Sequence, residues 1–566
     1  MSHSTHTPRS SFTAFDRSAV ASPTASLAHE QELEQELEQE LVSDEEEIHR
    51  YGGDAPNPPP LKSPGKLWAP TRSAPLDPEE ITWDGPDDQE NPQNWSIRKK
   101  WLVTLTCVIM TVNVTFASSA PSSATFAIIE AFDISKEISY LVTSAFLLGY
   151  VFGPLLWGPG SELIGRRPIF VFAMTMYTIL HLGQALAQNI ETLLITRFLG
   201  GLFGVAPLVN GGGVIADIWS VERRGLATSL FAASVFLGPV MGPIVAGYIV
   251  DSSLSWRWVF WVMMIFAGVC TLFMILTLPE TYAPVILLKK VKARRKADPA
   301  ASQHLFAAHE KQDWSPRGVV NRTVFRPFQM LAGEPILVLV TVYLSLVYGV
   351  MYCLFEAFPI IFVEKRGFTI AQNGLIFIGI GIGTTIGAIL NVRFSRHYPE
   401  LIKAWRGFPP PEERLYGGMV GGCAFVVGIF WLGWTGQYPS VPWYVPALST
   451  IMVGMSISLI FISFLSYLVE TYLMYSASAF AANTFCRSLV AAAFPLFTVQ
   501  MFNKLGVNYA ATLLGGVGLL LAPSPFLFYK YGARIRANSK FAPCLDLKIA
   551  KVLEEEKAAT GEKVSV

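Results

Sequence analysis

The stretch WGPGSELIGRRPIF, residues 157–170, lies between two apolar runs that are each long enough to cross a bilayer as a helix. Three charged side chains occupy this short connection: Glu162, Arg166 and Arg167. Three glycines stand beside them, at 158, 160 and 165. Charges are cheap at such a junction because the ends of membrane helices reach water. The stretch therefore predicts a bundle of membrane helices joined by short polar turns.

The composition of the whole chain agrees with this reading. Of its 566 residues, 51% are hydrophobic and 15% are charged, whereas soluble domains carry about 25% charged residues. The formal net charge is zero, so no global field attracts nucleic acid, and no nucleic-acid partner is expected. The six cysteines show no CxxC spacing, which argues against a metal site or a disulfide framework. The lipid bilayer is the expected environment.

Runs of roughly 20 apolar residues recur along the chain and predict twelve transmembrane helices in two six-helix halves. The predicted spans are 101–123, 138–158, 169–188, 192–216, 226–250, 257–278, 335–363, 372–392, 415–434, 443–468, 478–502 and 507–530. The predicted organisation is a disordered cytosolic tail (1–95), a first half (96–278), a cytosolic central loop (279–334), a second half (335–530) and a cytosolic C-terminal tail (531–566).

The distribution of Lys and Arg among the loops sets the expected orientation. The central loop carries KKVKARRK from Lys289, and the turns after the second and eighth spans are also basic. Cytosolic loops are enriched in such residues, so both termini and the central loop are expected inside. The turn after span eight, NVRFSRHYPE from Asn391, corresponds to the opening stretch after span two. This weak internal symmetry is typical of two-halved transporters.

Several motifs resemble those of the major facilitator superfamily, and they follow one another along the chain in the family's order. Gly158, Ser161, Glu162, Gly165, Arg166 and Arg167 resemble its loop signature between spans two and three, with Glu162 in place of the usual aspartate. RFLGGLFG from Arg197 resembles the fourth-span signature, and LGPVMGPIVAGY from Leu237 resembles the fifth-span signature of proton-coupled antiporters. YLMYSASAFAANTFCRSLVAAAFPLF around span eleven resembles the fungal twelve-span drug and polyamine:proton antiporter branch.

This resemblance, over residues 82–530, implies the all-α major facilitator fold and an alternating-access carrier. It implies export of small organic molecules (drugs, polyamines or secreted secondary metabolites) in exchange for protons, with no cofactor. The expected site is the plasma membrane, with the vacuolar membrane as the alternative, and a monomer is expected. The sequence shows no catalytic motif such as a P-loop or HExxH, so no enzyme is expected. Proton-linked or facilitated nutrient uptake stays the alternative, followed by a non-transporting receptor.

The opening stretch is expected to form an inner gate. Gly158 and Gly165 would let helices approach and turn tightly, and Glu162 could sit against the positive N-terminal end of a facing helix. Asp217 and Arg223 are the candidate partners in the same half. The resemblance implies that this cluster latches the inner side when the carrier opens outward. The alternative is that Arg166 and Arg167 are merely topology signals.

Span five carries an expected antiporter helix. Gly238 and Gly242 have the GxxxG spacing that allows close helix packing. Pro239 and Pro243 remove backbone hydrogen bonds and bend the helix, and Gly247 follows. The alternative is generic tight packing without a role in coupling.

Two ionisable residues are predicted at matching depth below the outer surface. Arg197 in span four and Glu356 in span seven lie roughly 9–10 Å inside that boundary at 1.5 Å per residue. Intramembrane charges are costly and mark function. We therefore expect the two to face each other, with Glu356 carrying the coupling proton or binding a positive charge of the substrate. The alternative is a structural ion pair, or a Glu356 that snorkels to the surface.

A polar stripe on span seven is expected to line the substrate cavity. Thr341, Ser345, Tyr348, Tyr352 and Glu356 recur at three- and four-residue intervals, which places them on one helix face. The further cavity candidates are Phe355 and, in span one, Asn113. Asn483 and Arg487 share a face of span eleven, where the alternative is a partner for inner helix ends. Aromatic rings there could hold a flat or cationic molecule, and no metal is expected.

Overall fold

The computed structural model describes residues 79–560, except for 86, 221, 222, 224, 312 and 313. This described part is helical, apart from connecting segments and one isolated β-bridge between Glu80 and Phe306. Helices suit a bilayer because they satisfy their own backbone hydrogen bonds where water is absent. The predicted all-α membrane fold is confirmed. The predicted disordered tail lies, as far as residue 78, outside the described residues.

Six spans form the first half of the molecule. Their helices run over Ile97–Ser119, Lys136–Ile164, Arg166–Ala185, Ile190–Gly204 with Ala206–Ile218, Gly225–Asp251 and Arg257–Thr277. Span 1 begins at Ile97, before the predicted 101, because the Ser96 hydroxyl accepts a hydrogen bond from the Lys99 amide. Such an N-cap satisfies an amide that the helix itself leaves unpaired.

Six further spans form the second half. Their helices run over Pro335–Phe358, Ile370–Phe394, Tyr416–Gln437, Tyr444–Tyr472, Ser476–Leu505 and Val507–Leu521 with Ser524–Arg536. Eleven helical stretches of the described chain are long and apolar enough to cross a membrane, and one of them has 62 residues. That stretch makes two crossings, because its backbone turns at Leu473 with φ of 38°. Twelve crossings result, as predicted.

The two halves repeat the same packing. In the first half, span 1 packs against span 5, span 2 against span 4, and span 3 against span 6. In the second half, spans 7, 8 and 9 pack in the same way against 11, 10 and 12. The halves meet where span 5 contacts span 8 and where span 2 contacts span 11. The weak symmetry of the sequence is therefore a symmetry of the fold.

The glycines of span 5 allow two close helix contacts. A side chain at Gly238 or Gly242 would collide with span 1, at Phe116 or Ala120. A side chain at Gly247 would meet the backbone of Ile370 in span 8. The predicted close packing is present, and both prolines, Pro239 and Pro243, lie inside the continuous helix. The antiporter role of this helix stays a prediction.

The two halves are joined by polar contacts at one membrane face. We call the face that carries Ile97 and the central segment the tail side, and the opposite face the far side. At the far side, the Asp251 carboxylate accepts a hydrogen bond from the Ala371 amide at 2.8 Å. Ala371 lies in the first turn of span 8, where the helix dipole favours an anion. Gln500 of span 11 also donates to Glu137 of span 2 at 3.4 Å.

Residues 79–95 are held against the central segment. Lys290, in the helix Ala283–Ala297, forms ion pairs with Asp84, Asp88 and Glu90 at 2.6, 3.3 and 3.1 Å. Burial opposes the charge of Lys290, but these carboxylates raise its pKa overall. The expectation that the disordered tail extends to residue 95 is therefore wrong for its last part. The acidic residues of this last part pair with the basic helix Ala283–Ala297 of the central segment.

The chain beyond the last span also folds back on the tail side. Span 12 runs to Arg536, past the predicted 530. The buried Arg536 guanidinium pairs with Glu412 and Asp546, each at 2.8 Å. Burial raises the pKa of Glu412, and Arg536 opposes that rise. This triad holds the C-terminal helix Leu545–Thr560 against the loop between spans 8 and 9.

The close contact between spans 1 and 5 predicts a stability effect. Gly238→Ala would place a methyl group 2.5 Å from the Phe116 amide nitrogen, and such overpacking costs about 1–3 kcal/mol. We expect a lower thermal unfolding temperature in detergent. The matched change Gly516→Ala adds the same methyl group where nothing lies within 4 Å, so it should unfold like the wild type. Equal stability of the two variants would contradict the packing argument.

Candidate functional site

The first charged cluster lies at the tail-side ends of spans 2, 3 and 4. The Arg166 guanidinium forms an ion pair with Asp217 at 3.2 Å and donates to the Ser161 hydroxyl at 2.6 Å. The Tyr282 ring covers its face at 4.9 Å. Arg166, Asp217 and Ser161 all belong to the first half, and Tyr282 directly precedes the central-segment helix Ala283–Ala297. The predicted partnership of Arg166 with Asp217 is therefore present, but it fastens helices of one half and does not join the two halves.

Glu280 is the residue of this cluster that sequence reasoning missed. Its carboxylate accepts hydrogen bonds from the backbone amides of Arg166 and Arg167 at 2.9 and 3.3 Å. An anion is stabilised there because these amides open the helix of span 3. Gly165 has φ of 106°, and a Cβ at that position would collide with the Glu280 carboxylate. The available signal was the LPET stretch directly after span 6.

Glu162 does not take the role we expected. Its side chain is exposed, and it is Glu280 that lies against the helix N-terminus. The Glu162 carbonyl oxygen lies 3.0 Å from His309 Nε2 of the central segment. The expected close approach at Gly158 is also wrong, because nothing lies within 4 Å of a Cβ placed there.

Two other predicted members lie outside the cluster, and an unexpected one lies inside it. Arg167 is exposed and donates to the Ile275 carbonyl at 3.3 Å. Arg223 is exposed in the turn before span 5. Asn210 of span 4 donates to the Trp157 carbonyl at 3.1 Å. Its side-chain oxygen lies 3.1 Å from the Ser161 hydroxyl, which extends the polar network into the bundle.

The second half carries a copy of this charged cluster. Arg414, just before span 9, pairs with Glu470 near the end of span 10 at 2.8 Å. The Tyr398 ring lies 3.3 Å from the Arg414 guanidinium, and its hydroxyl donates to Glu470. The arrangement matches Arg166 with Asp217 in the first half. Sequence reasoning counted the basic residues of the turn after span 8 only as topology signals, although the position of Arg414 just before span 9 was available.

The predicted stripe of span 7 faces the interior of the bundle. Its five members, from Thr341 to Glu356, are each at most 5% exposed. Tyr348 contacts both Tyr352 and Phe461, with ring centroids 5.1 and 5.8 Å apart. Tyr352 shares a 2.9 Å hydrogen bond with Ser118 of span 1. The stripe therefore lies between the two halves and not against lipid.

Aromatic residues of several spans complete this central region. Phe461 of span 10 contacts Phe236 of span 5 at 5.3 Å, so this contact also crosses between the halves. Phe355, predicted as a cavity residue, stacks on Phe377 of span 8 at 5.1 Å. Aromatic rings therefore line the central region, and Phe355 lies on the side of that region nearest span 8.

The predicted pairing of Arg197 with Glu356 is wrong in this structure. Arg197 donates to the backbone carbonyls of Val142 and Ala117, each at 2.9 Å, and lies over the Phe146 ring. No ion pair joins it to Glu356 within the described chain. Residue spacing predicts how deep each side chain lies along its helix, but the direction of the side chain depends on how the helix is rotated. The coupling role of either residue stays a prediction.

Several buried polar groups of the central region have no hydrogen-bond partner among the described residues. The set comprises both side-chain polar atoms of Asn113, the Ser345 hydroxyl, Glu356 Oε1, Asn483 Oδ1 and Arg487 Nε. Asn483 does donate to Thr341 at 3.3 Å. Each buried unpaired group costs about 1–3 kcal/mol, so such a concentration calls for a functional explanation. The described residues contain no group of three or more side chains suited to a metal ion.

Comparisons with known proteins agree with this architecture. The family model described as Major Facilitator Superfamily matches residues 105–495. The solved structure of the proton:xylose symporter XylE superposes with a TM-score of 0.56 and 18% identity, over 77% of this chain and 96% of that one. At this identity the likeness concerns the fold alone.

Three fungal relatives cover most of the chain. The ascochitine biosynthesis cluster MFS transporter of Didymella fabae is 42% identical over 86% of this chain and 93% of its own length. The citrinin biosynthesis cluster MFS transporter of Monascus ruber is 42% identical over 82% and 92%. The MFS-type efflux pump of Trichophyton rubrum is 39% identical over 85% and 80%.

The first charged cluster predicts unequal effects of two adjacent arginines. Arg166→Ala leaves Asp217 largely buried without its cation, which costs about 3–5 kcal/mol for a buried pair. Arg167→Ala removes an exposed side chain, and such changes usually stay within about 0.5 kcal/mol. We therefore expect a lower unfolding temperature in detergent for Arg166→Ala alone. Similar losses in both variants would show that the buried pair is not what stabilises the cluster.

Proposed function

This chain belongs to the major facilitator superfamily, and we propose that it exports a small organic molecule, of the secreted secondary-metabolite class, in exchange for protons. The observation that carries this proposal is the group of unpartnered polar side chains between the two halves. Burying unpaired polar groups costs free energy, and this cost is explained if a substrate and a proton bind to these groups in turn.

The relatives support export of a metabolite as the physiological task. Two of them are named as transporters of biosynthesis clusters and a third as an efflux pump. Drug resistance and polyamine export, which the fifth- and eleventh-span motifs suggested, stay predictions. We expect no enzymatic step in this cycle.

The far-side contacts suggest how access alternates. Asp251 with Ala371 and Gln500 with Glu137 join the halves at the far side, and Ser118 with Tyr352 joins them in the central region. A few polar contacts of this kind can break and re-form at little net cost, since water replaces the lost partner. The charged clusters of Arg166 and Arg414 hold the tail-side ends within each half, so that each half can move as a body.

Glu356 is our candidate for the coupling proton. It is buried in span 7, and Oε1 has no hydrogen-bond partner in the described chain. A carboxyl group in an apolar surrounding favours its neutral form, and opening to water favours the ionised form. Alternating exposure of this one group would therefore tie proton release to the change of access.

Nutrient uptake is the competing activity. The xylose symporter shares only the fold with this chain, at 18% identity, so it does not favour uptake. Direction is decided by one measurement in vesicles: whether the substrate moves against its gradient, and to which side, when a proton gradient is imposed. Accumulation on the side from which protons flow supports export by exchange, and movement with the protons supports uptake.

The plasma membrane is the proposed location, with the vacuolar membrane as the alternative. Both termini and the tail side are proposed to be cytosolic, because the basic helix Ala283–Ala297 lies on that side. The carrier is proposed to work as a monomer, since each half supplies one wall of the same central region.

The orientation can be tested by cysteine labelling in intact cells. Ser440→Cys lies in an exposed far-side loop and Gln303→Cys in the exposed central segment. A membrane-impermeant maleimide should label Ser440→Cys alone, and Gln303→Cys should react after permeabilisation. Unsubstituted protein supplies the background of the native cysteines. Labelling of Gln303→Cys in intact cells would overturn the orientation, and unlabelled Ser440→Cys would favour an internal membrane.

The role of Glu356 can be tested in proteoliposomes. Glu356→Gln keeps the shape of the side chain but removes its ionisation, so gradient-driven transport should fall to the level of empty liposomes. Exchange of labelled for unlabelled substrate should continue, because it needs no net proton movement. Glu364→Gln, the same change at an exposed residue just beyond the end of span 7, should behave like the wild type. Gradient-driven transport by a folded Glu356→Gln variant would refute the proposal.

A further inference from the structure

Arg487 differs from the other buried arginines of the described chain. Arg166 and Arg536 pair with carboxylates, and Arg197 donates to backbone carbonyls. The Arg487 side chain is as deeply buried, at 8% exposure, yet its guanidinium forms neither a hydrogen bond nor an ion pair with any described residue. An unneutralised cation inside the membrane is among the most costly of arrangements. This cost indicates that Arg487 receives an anion that the chain itself does not supply.

The surroundings of Arg487 have the form of a binding site. Its guanidinium lies 5.2 Å from the Tyr348 ring and 5.5 Å from the Phe461 ring. The Ser345 hydroxyl and Asn483 Oδ1, on the neighbouring faces of spans 7 and 11, also lack partners. Two aromatic faces and three unpaired polar groups therefore converge at one level of the bundle.

That level is separate from the proposed proton carrier. The hydrogen bond between Asn483 and Thr341 sets the register of spans 7 and 11, which run in the same direction. Arg487 follows Asn483 by one turn and therefore lies near Ser345. Glu356 is eleven residues further along span 7 than Ser345, or about 16 Å at 1.5 Å per residue. A substrate at Arg487 and a proton at Glu356 would thus occupy different places.

We propose that Arg487 binds an acidic group of the exported molecule, and that the substrates are planar aromatic or conjugated acids. A guanidinium offers two parallel N–H donors to a carboxylate, and it also stacks on flat rings. Tyr348 and Phe461 supply the aromatic faces against which the ring system of such an acid packs. This inference rests on the proposed export function and names the substrate class of the same central region.

The same site disfavours a polyamine or another cation. At the level of Arg487 a positive ligand would meet an uncompensated positive charge in a medium of low dielectric constant. The ionisable groups that face Arg487 most closely are the phenols of Tyr348 and Tyr352, which are neutral at physiological pH. Charge selection thus favours anions.

Direct binding to the purified full-length protein tests this proposal without any need for transport. The probes are 2-naphthoate, its uncharged methyl ester, and the cation (2-naphthylmethyl)trimethylammonium, measured by isothermal titration calorimetry in nanodiscs. Wild-type protein should bind naphthoate about tenfold more tightly than either other probe, since a charged hydrogen-bonded pair contributes about that factor. Arg487→Gln should bring naphthoate down to the level of the ester and leave the ester unchanged.

The ester serves as the check on folding in each variant. If Arg487→Gln does not fold, Arg487→Lys takes its place, because lysine keeps the positive charge but lacks the planar guanidinium with its parallel donors. Arg487→Lys should bind naphthoate more weakly than the wild type and bind the ester equally well. The proposal is overturned if wild-type protein prefers the cation or does not bind naphthoate, or if a folded Arg487→Gln variant treats acid and ester as the wild type does. Wild-type protein that binds naphthoate as expected, but moves no substrate against its gradient when a proton gradient is imposed, would instead count against the proposed export function.

Discussion

The absence of water in the hydrocarbon layer is the constraint on which the rest of this structure depends. A polar group there must find its partner within the protein, and the described chain meets this demand in a limited number of ways. Arg197 uses carbonyls of two neighbouring helices, Arg166 and Arg414 use carboxylates at the tail-side surface, and Glu280 uses the free amides of a helix end. Several buried polar groups around span 7 lack a partner among the described residues, and the candidate site lies there.

Duplication explains how such a structure can move. Each half has the same packing order and its own charged cluster on the tail side. Gly238 of span 5 packs tightly against span 1 within the first half, and Gly247 of span 5 packs against Ile370 of the second half. Such contacts act through dispersion, which weakens quickly with distance. The two halves share polar contacts at the far side, among them Asp251 with the Ala371 amide. Rigid units joined by such contacts favour rocking of one half against the other.

The positions of the charges suggest that proton binding and substrate binding take place at different levels of span 7. Glu356 lies toward the far-side end of span 7, where the proposed movement would change its access to water, and Arg487 lies deeper, beside the Tyr348 and Phe461 rings. A proton site and an acid site about 16 Å apart along the helix can influence each other through the movement of the halves without direct contact. This separation would let one carrier accept aromatic frameworks of different shape while the coupling group stays the same.

The sequence by itself determined the twelve spans, their division into halves, the tail-side charged turn and the inward face of span 7. Each of these follows from hydrophobic length or from helical periodicity, which are local properties of the chain. The tertiary structure decided the partners: Glu280 in place of Glu162, backbone carbonyls in place of Glu356 for Arg197, and no protein partner for Arg487. Residue spacing gives the depth of a side chain along its helix. Its partner depends on how the packed helices are rotated and on where distant loops return, and that is settled only when all twelve spans pack together.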